Sequence, residues 1–582
     1  MEQKISNYIS ASKNIKISDN SKKIKIAILS SFTINGLDEC LKVKSAELNI
    51  HYSSFIAGYN QYNQEILDSN SSLYKFDPDI TFLIIDIRKI LGNFFHFAYS
   101  FSEQERKNVI EEKIEQIKNL ISNFQNNSDK KLVLSIVNPG TYSINGILEN
   151  KSKFAIKDMI NKLTSELINS AREQNTFFFH DFDLFIRKNG ERNVFDYRQF
   201  FIGDIQIAFS FLPYFADELM SYIKPSLGLN RKCIVLDLDN TLWGGVVGED
   251  GFDGIELGHT PNGKAFVEFQ KQLLALWQQG IILAINSKNN FDEAMKVIKE
   301  HPEMILREKH FASFQINWND KAENLNRISE EVNIGLNSIV FFDDDKINQE
   351  RISHEFPEVL TIPLPNDPSQ YVSILDNLND FNVLQKTDED FMRGQMYAEQ
   401  RERKKLQKSV SNLDDFLKQL DIKIMIKKAD QFLIPRISQL TLKTNQFNLT
   451  TKRYQENDIQ EFARDSKFDV YCAQVSDKFG DNGITGVYII NKNERSWIID
   501  TFLLSCRIMG RGVEDALLSQ ILINAKNAGV QQVEGEFIPT QKNEPAKNFL
   551  FENGFKKESK YWIFNLNNEI KFPNHLKVET EK

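Results

Sequence analysis

Residues 233–241 read Cys233-Ile-Val-Leu-Asp237-Leu-Asp239-Asn240-Thr241, and the fold is decided here. Four apolar residues make a buried strand, and two carboxylates follow it two positions apart. Residues i and i+2 of an extended chain point the same way, so both acids face one site. Sheets of the α/β class bind ligands at the carboxyl ends of their strands, which is where the pair falls. Asp237 can attack phosphorus as a nucleophile while Asp239 serves as general acid and base. A phosphate dianion repels both unless charge is neutralised, which calls for Mg²⁺ and a cation.

Further along the chain the remaining parts come in the order this chemistry needs. Ser287 ends the apolar run LAINS and can donate to phosphoryl oxygens. Lys321 opens a helical pattern and can offset the charge of nucleophile and phosphate. Asp343 and Asp344 end the run SIVFF, where carboxylates can hold metal. The expected metal set is Asp237, Asp239, Asp343 and Asp344, with Asn240, Ser287 and Lys321 on the phosphate. A lone Asp-x-Asp is more often a loop or helix cap, but four parts in order outweigh that reading. About 50 residues separate Asp237 from Ser287, and about 34 separate Ser287 from Lys321. Neither gap holds a cap domain beside its own strand and helix, so an open site is expected. Water must be managed at such a site, and a lid from the third domain is the preferred arrangement.

Around this core the 582-residue chain is too long for one hydrophobic core. Short apolar runs at 25–30, 80–85, 131–137 and 176–179 alternate with helical patterns at 103–124 and 156–173, which predicts an α/β sandwich over 22–228. The phosphotransfer domain is expected over 229–375 and a charged helical connector over 376–420. An α+β domain follows over 421–570.

In that last domain Arg507-Ile-Met-Gly510-Arg511-Gly512 lies between a strand and a long helix. Glycines there let backbone N–H groups approach a pyrophosphate at a helix N-terminus, although a plain turn fits RxxGxG as well. Cys506 precedes the loop. A thiol near a helix N-terminus and two arginines gains thiolate character, whereas most lone cysteines are small buried hydrophobes. Both readings stay open for Cys506, and the second suits Cys40, Cys233 and Cys472. Lys443, Asn445, Gln446 and Asn448 form a polar cluster, and Asp477, Asp481 and Asn482 flank glycines. Both groups are candidates to line an acyl or pantetheine site, beside the reading of the acids as a solvated loop.

The formal charge of −9 carries no long single-sign block, which argues against nucleic acid or an anionic membrane as partner. Four scattered cysteines fit a reducing compartment. No run approaches the roughly 20 apolar residues of a membrane span. The first twenty residues lack a signal peptide's apolar core, and a cytoplasmic location is expected.

These four motifs resemble those of the haloacid dehalogenase-like superfamily of aspartate-nucleophile phosphatases. More closely, LDLDNTLWGGVVGEDG, NSKNN, FQINWNDKAENL, NIGLNSIVFFDDD, QLTLKTNQFNLTTKRY, DKFGDNGITGV and LLSCRIMGRGVEDALL are similar to the FkbH-like family, over about 25–565. The fourth motif departs from the family's DDNP and following Glu-Arg, with Asp345-Lys346 and Asn348-Gln349 in those places. The resemblance implies a multidomain α/β enzyme with an SGNH- or flavodoxin-like sandwich, a capless Rossmannoid phosphatase and a GNAT-like α+β domain that takes CoA or the phosphopantetheine of a carrier. Ser30-Ser31 stands where an SGNH serine would, but no DxxH follows and His180-Asp181 is in the wrong order, so that domain is expected to be non-catalytic. The implied function is dephosphorylation of 1,3-bisphosphoglycerate and transfer of its glyceryl group, as a thioester on Cys506, to an acyl carrier protein in polyketide-type biosynthesis. The rival is a phosphatase coupled to CoA-dependent N- or O-acylation of a sugar or amino acid.

Overall fold

The computed structural model describes residues 4–15, 21–139, 145–386, 388–410, 412–505, 507–540 and 542–581. It divides into two compact units, the first being 1–229 with 382–384 and the second the remainder.

Five parallel strands make the sheet of the first unit: β1 (Lys22–Ser30), β2 (Ile50–Ile56), β3 (Ile80–Asp86), β4 (Lys131–Val137) and β5 (Phe177–His180), in the order β2-β1-β3-β4-β5. Alternate residues of each strand bury on opposite faces. Ala27, Leu29, Leu83 and Leu134 meet the helices Glu103–Asn127 and Ile156–Glu173. Ile26, Ile28, Phe82 and Val133 meet Leu37–Glu47 and Leu212–Ser226. This is the expected flavodoxin-like sandwich. It begins earlier than residue 22, because the helix Ile5–Ser12 packs Ile5 and Tyr8 against the same core. β2 was not expected. It reads HYSSF, and as an edge strand it buries on one side only.

In the second unit β6 (Cys233–Leu236), β7 (Ile282–Ser287), β8 (Phe311–Ile316), β9 (Ile339–Asp343) and β10 (Leu360–Pro363) form a second parallel sheet, ordered β10-β9-β6-β7-β8. β6 is buried at every position, as a central parallel strand covered on both faces must be. Ile234 and Leu236 pack on α1 (Pro261–Gln278) and α2 (Phe291–Glu300). Cys233 and Val235 pack on α3 (Lys321–Val332) and α4 (Lys346–Glu355). Only a small flap, pinned by the Gly244–Glu256 bridge, and α1 lie between β6 and β7. No cap domain is inserted.

The connector forms α5 (Arg393–Ser409), after which α6 (Ile434–Lys443) covers one face of a nine-stranded mixed sheet and α7 (Val513–Asn527) the other. Its strands are β11 (Lys423–Lys428), β12 (Phe447–Asn448), β13 (Phe468–Asp477), β14 (Gly480–Lys492), β15 (Ser496–Leu504), β16 (Gln532–Glu536), β17 (Lys556–Glu558), β18 (Tyr561–Asn565) and β19 (Lys577–Thr580). This is the expected α+β class. β15 and β16 run parallel over Ser496–Ile499 only and then part. The gap is filled by the chain itself. β12 pairs with Leu503 and Leu504, while Ile538 N–H donates to Leu449 O on its other side.

Among the described residues this domain does not supply the expected lid. Gln446 and Asn333 exchange side-chain hydrogen bonds of 3.3 and 3.4 Å. Asn333 caps the far end of α3, whose first residue is Lys321. Arg401 of α5 donates to Glu308 O and Phe311 O at the start of β8. These contacts all lie at the amino-terminal edge of the middle sheet. The length of α3, about 18 Å at 1.5 Å per residue, separates them from the carboxyl edge.

Candidate phosphotransfer site

Asp237 leaves β6 directly, its N–H bonded to Phe342 O of β9. Lys321 opens α3, where the Asp320 carboxylate caps the Ala322 N–H and sets the helix start. The ammonium of Lys321 therefore reaches Asp237 at 3.0 Å and Asp343 at 2.6 Å. Burial works to lower its pKa, but the two carboxylates outweigh this and raise it. Asn286 Nδ2 donates to Lys321 O and steadies the same helix start.

One carboxylate oxygen each from Asp237, Asp343 and Asp344 lies within 4.8 Å of the others. Asp237 Oδ1 is buried with no hydrogen-bond partner among the described residues. Burial, then the charge of Asp237, pushes Asp343 and Asp344 up to about 6. Crowded acids with an unused oxygen, all hard ligands, suit a divalent cation.

Asp239 was expected as a fourth metal ligand, and its carboxylate is turned elsewhere. Oδ1 accepts from Trp243 Nε1 at 2.8 Å and Val247 N at 3.2 Å, and Oδ2 from Asn289 Nδ2 at 2.8 Å. Burial foremost raises its pKa, with Asp237 adding to the effect, which favours the protonated form a general acid needs. Asn240 adopts a left-handed φ of 53° and accepts from Gly245 N, closing the turn. Ser287 ends β7 and is buried. Asp345 caps Ile347 N, and Gln349 Nε2 donates to Asp343 O at 2.6 Å. The departures in the fourth motif are thus braced locally. Trp243, Asn286, Asn289 and Gln349 were not foreseen as supports, although Asn286 and Asn289 flank Ser287 in the sequence. Phe291, Trp318 and Ile347, each a few residues past the carboxyl end of a strand of this sheet, are exposed.

At the second candidate site Cys506 lies outside the described residues. Gly510 and Gly512 have positive φ, 73° and 79°. The charges around them are already engaged. Arg511 is buried against Asp477 (3.2 Å), Gln400 (2.8 Å) and Arg507 O, and burial, then Arg403, pushes it down to about 10. Arg507 Nε donates to Ser505 Oγ. Glu514 Oε1 accepts the Gly510 N–H at 3.0 Å, and His575 Nε2 lies 3.0 Å from Arg511 O. Asn448 is buried as a brace between Thr444 O and Thr451 N. Gln446 holds Asn333, and Asn445 Nδ2 lies 3.4 Å from Lys443 O. Lys443 is exposed, and desolvation by its neighbours pushes it down to about 8 against the pull of Asp390. Asp477 and Asn482 are parts of strands β13 and β14 rather than a solvated loop.

In the first unit Ser31 Oγ accepts from Asp86 N, and buried His180 pairs with Ser135 at 3.0 Å. β3 and β4 stand between their strands. Cys40, Cys233 and Cys472 are buried. No helix among the described residues is long and apolar enough to cross a membrane.

Residues 25–224 match the family model for the FkbH N-terminal domain. Among solved structures, the N-terminal part of the protein BF1531 from Bacteroides fragilis, containing a phosphatase domain complexed with Mg, is 29% identical at a TM-score of 0.61. The match covers 66% of this chain and 100% of that one. A putative GNAT-family acetyltransferase from Desulfovibrio desulfuricans (11% identity, TM-score 0.21) covers 25% of this chain and 99% of its own. The ribosomal-protein-S18-alanine N-acetyltransferase from Escherichia coli gives 11%, 0.21, 25% and 94% for the same measures. No curated protein matches the chain significantly.

Proposed function

We propose, from the premise that the chain belongs to the FkbH-like family, that it is a phosphatase-type enzyme that removes phosphate from a small acyl-bearing metabolite and loads the acyl unit onto an acyl carrier protein. The observation that carries the reading is the buried Asp237–Lys321–Asp343 bridge with Asp344 beside it. Asp237, Asp343 and Asp344 are the residues that would hold Mg²⁺, which supplies neutralising charge at the phosphoryl oxygens.

Asp237 attacks phosphorus, the ester P–O bond breaks, and Asp239 gives its proton to the departing alkoxide. Asp239 then takes a proton from the water that hydrolyses the aspartyl-phosphate. Lys321 stays charged and holds the nucleophile in place. For the acyl half, 1,3-bisphosphoglycerate fits the chemistry of an acyl phosphate. A thiolate at Cys506 attacks its carbonyl carbon, the C–O bond to phosphate breaks, and phosphate leaves with the electron pair. A carrier's pantetheine thiol then displaces Cys506 from the thioester. The contacts of Gln446 and Arg401 lie at the edge of the middle sheet opposite Asp237, and the two half-reactions are read as separate steps at separate sites. A diffusing ester, or an acyl unit on a carrier's long arm, can visit them in turn.

The test is intact mass after incubation with Mg²⁺ and 1,3-bisphosphoglycerate for wild type, Cys506→Ala and Asp237→Asn. A hydroxylamine-labile adduct is expected in wild type and Asp237→Asn, and its persistence in Cys506→Ala removes that residue from the mechanism. No adduct, with turnover of acyl-CoA instead, would replace this reading by CoA-dependent acylation.

A further inference from the structure

β14 contains two irregularities where it pairs with β13. The register runs Ala473↔Gly486, then Gln474↔Ile484, then Ser476↔Asp481, so Thr485 is an extra residue and a second slip falls at Asn482-Gly483. Bulges re-aim side chains and cluster beside active sites. At these two slips stand Thr485, fully buried, and Asn482, 2% exposed. Thr485 Oγ1 and Asn482 Nδ2 have no hydrogen-bond partner among the described residues. A buried polar group left unpaired is costly and uncommon in a folded protein. Two of them three residues apart call for a ligand that supplies the missing bonds.

Their position says which ligand. Ser505 N–H donates to Thr485 O at 2.7 Å, so the bulge is tied to the residue that precedes Cys506 in the chain. On the other side Arg436 of α6 donates to Ile484 O at 3.1 Å, which anchors the helix to the same short stretch. A hydroxyl and an amide suit a neutral, hydroxylated group rather than an alkyl chain.

We propose that the doubly bulged start of β14 is a subsite for the hydroxyl groups of the acyl unit, with Thr485 Oγ1 and Asn482 Nδ2 as its hydrogen-bonding atoms. The inference rests on the acyl-transfer reading above and adds to it a means of selecting hydroxylated acyl groups over plain ones. A site built to bond a hydroxyl discriminates strongly against an analogue that lacks it.

The experiment compares wild type, Thr485→Val and Asn482→Leu, all near-isosteric changes. Each is given 1,3-bisphosphoglycerate or acetyl phosphate, and the rate of covalent loading is read by intact mass. Wild type is expected to favour the hydroxylated donor, and each variant to lose roughly tenfold or more of that preference. Without ligand, both variants should unfold at the same temperature as wild type or higher. Undiminished preference in the variants overturns the subsite. A clear fall in their ligand-free unfolding temperature also overturns it, since the groups would then be serving the fold. If wild type loads no donor at all, the acyl-transfer reading fails, and the subsite is judged by thermal shift with methyl glycerate against methyl propionate. Protection of wild type, but not of Thr485→Val, by methyl glycerate alone sustains it, and any other pattern ends it.

Discussion

Replacing Lys321 by Met removes one charge from the centre of the phosphotransfer site and little volume. Lys321 is 4% exposed and touches Asp237 at 3.0 Å and Asp343 at 2.6 Å. Without it, two carboxylates with oxygens within 4.8 Å face each other with nothing between. At an effective dielectric of about 20 their repulsion is about 3.5 kcal/mol. Breaking a buried pair by deleting one partner generally costs about 3–5 kcal/mol. The two estimates agree, so Lys321→Met should lower stability by that amount in EDTA. A divalent cation binding the three acids would take up the same charge, and at 100 times its Kd binding alone returns about 2.7 kcal/mol. The assay is urea unfolding in EDTA and in excess Mg²⁺. Fluorescence can report locally, because Trp243 is fully buried and bonded to Asp239. The expected result is a large deficit in EDTA that narrows with Mg²⁺. An unchanged midpoint in EDTA, or a deficit that Mg²⁺ leaves untouched, would refute the assignment of these acids to one charged cluster.

Asp477→Asn strips a buried carboxylate from Arg403, which it meets at 2.7 Å, and from Arg511 at 3.2 Å. A loss of about 3–5 kcal/mol is expected in chemical denaturation, with release of phosphate from a simple ester unchanged under native conditions. Cys506→Ala should likewise keep phosphate release from a simple monoester within about a factor of two, by the arithmetic that separates independent sites; a collapse of that rate would show the two chemistries to be one. Burial pushes His180 down to about 4, so the folded state keeps the ring neutral. The unfolded chain takes a proton from about pH 6.5 downward, so this ring's contribution is whole above that pH. It is lost as pH falls toward 4, by about 3 kcal/mol. Histidine-selective NMR should find the ring neutral at pH 5, and titration near 6.5 would contradict its burial against Ser135.

The middle domain was the most legible because its chemistry and its fold share one signal. Asp237, Ser287 and Asp343 each stand at the end of a largely apolar run, and such runs become parallel strands whose ends line up at one edge. Edge strands carry no such signal. β2, β10 and β19 were missed, and β19 reads KVET, paired only along β11. β8, the other edge of the middle sheet, was missed for a further reason as well. Its run FASFQI mixes small and polar residues, and Ser313 and Gln315 are buried by bonding Glu331 of α3. That pairing across 16 to 18 residues has no local pattern. The supports of the site were hidden in the same way. Asn289 steadies Asp239 from 50 residues away, and nothing in the spacing distinguishes it from a surface asparagine.

The glycine loop of the third domain shows a subtler gap between motif and use. The loop has a strand before it, α7 after it, and both glycines at positive φ. Those features specify backbone shape, and shape is what local sequence encodes. Which anion the loop holds depends on what else is near. Here Glu514, from the first turn of α7, places its own carboxylate on the Gly510 N–H, and Asp477 from β13 takes the guanidinium of Arg511. A carboxylate at a helix N-terminus is stabilised by the same N–H groups and dipole that would favour a phosphate, so the domain satisfies its own anion site. β12 does the equivalent for the parted edge of β15. An incoming pantetheine would therefore have to displace bonds the chain already makes. Among the described residues, Asn482 Nδ2 and Thr485 Oγ1 are left unpaired where the strand slips, a stretch that the sequence reads only as a glycine-rich turn.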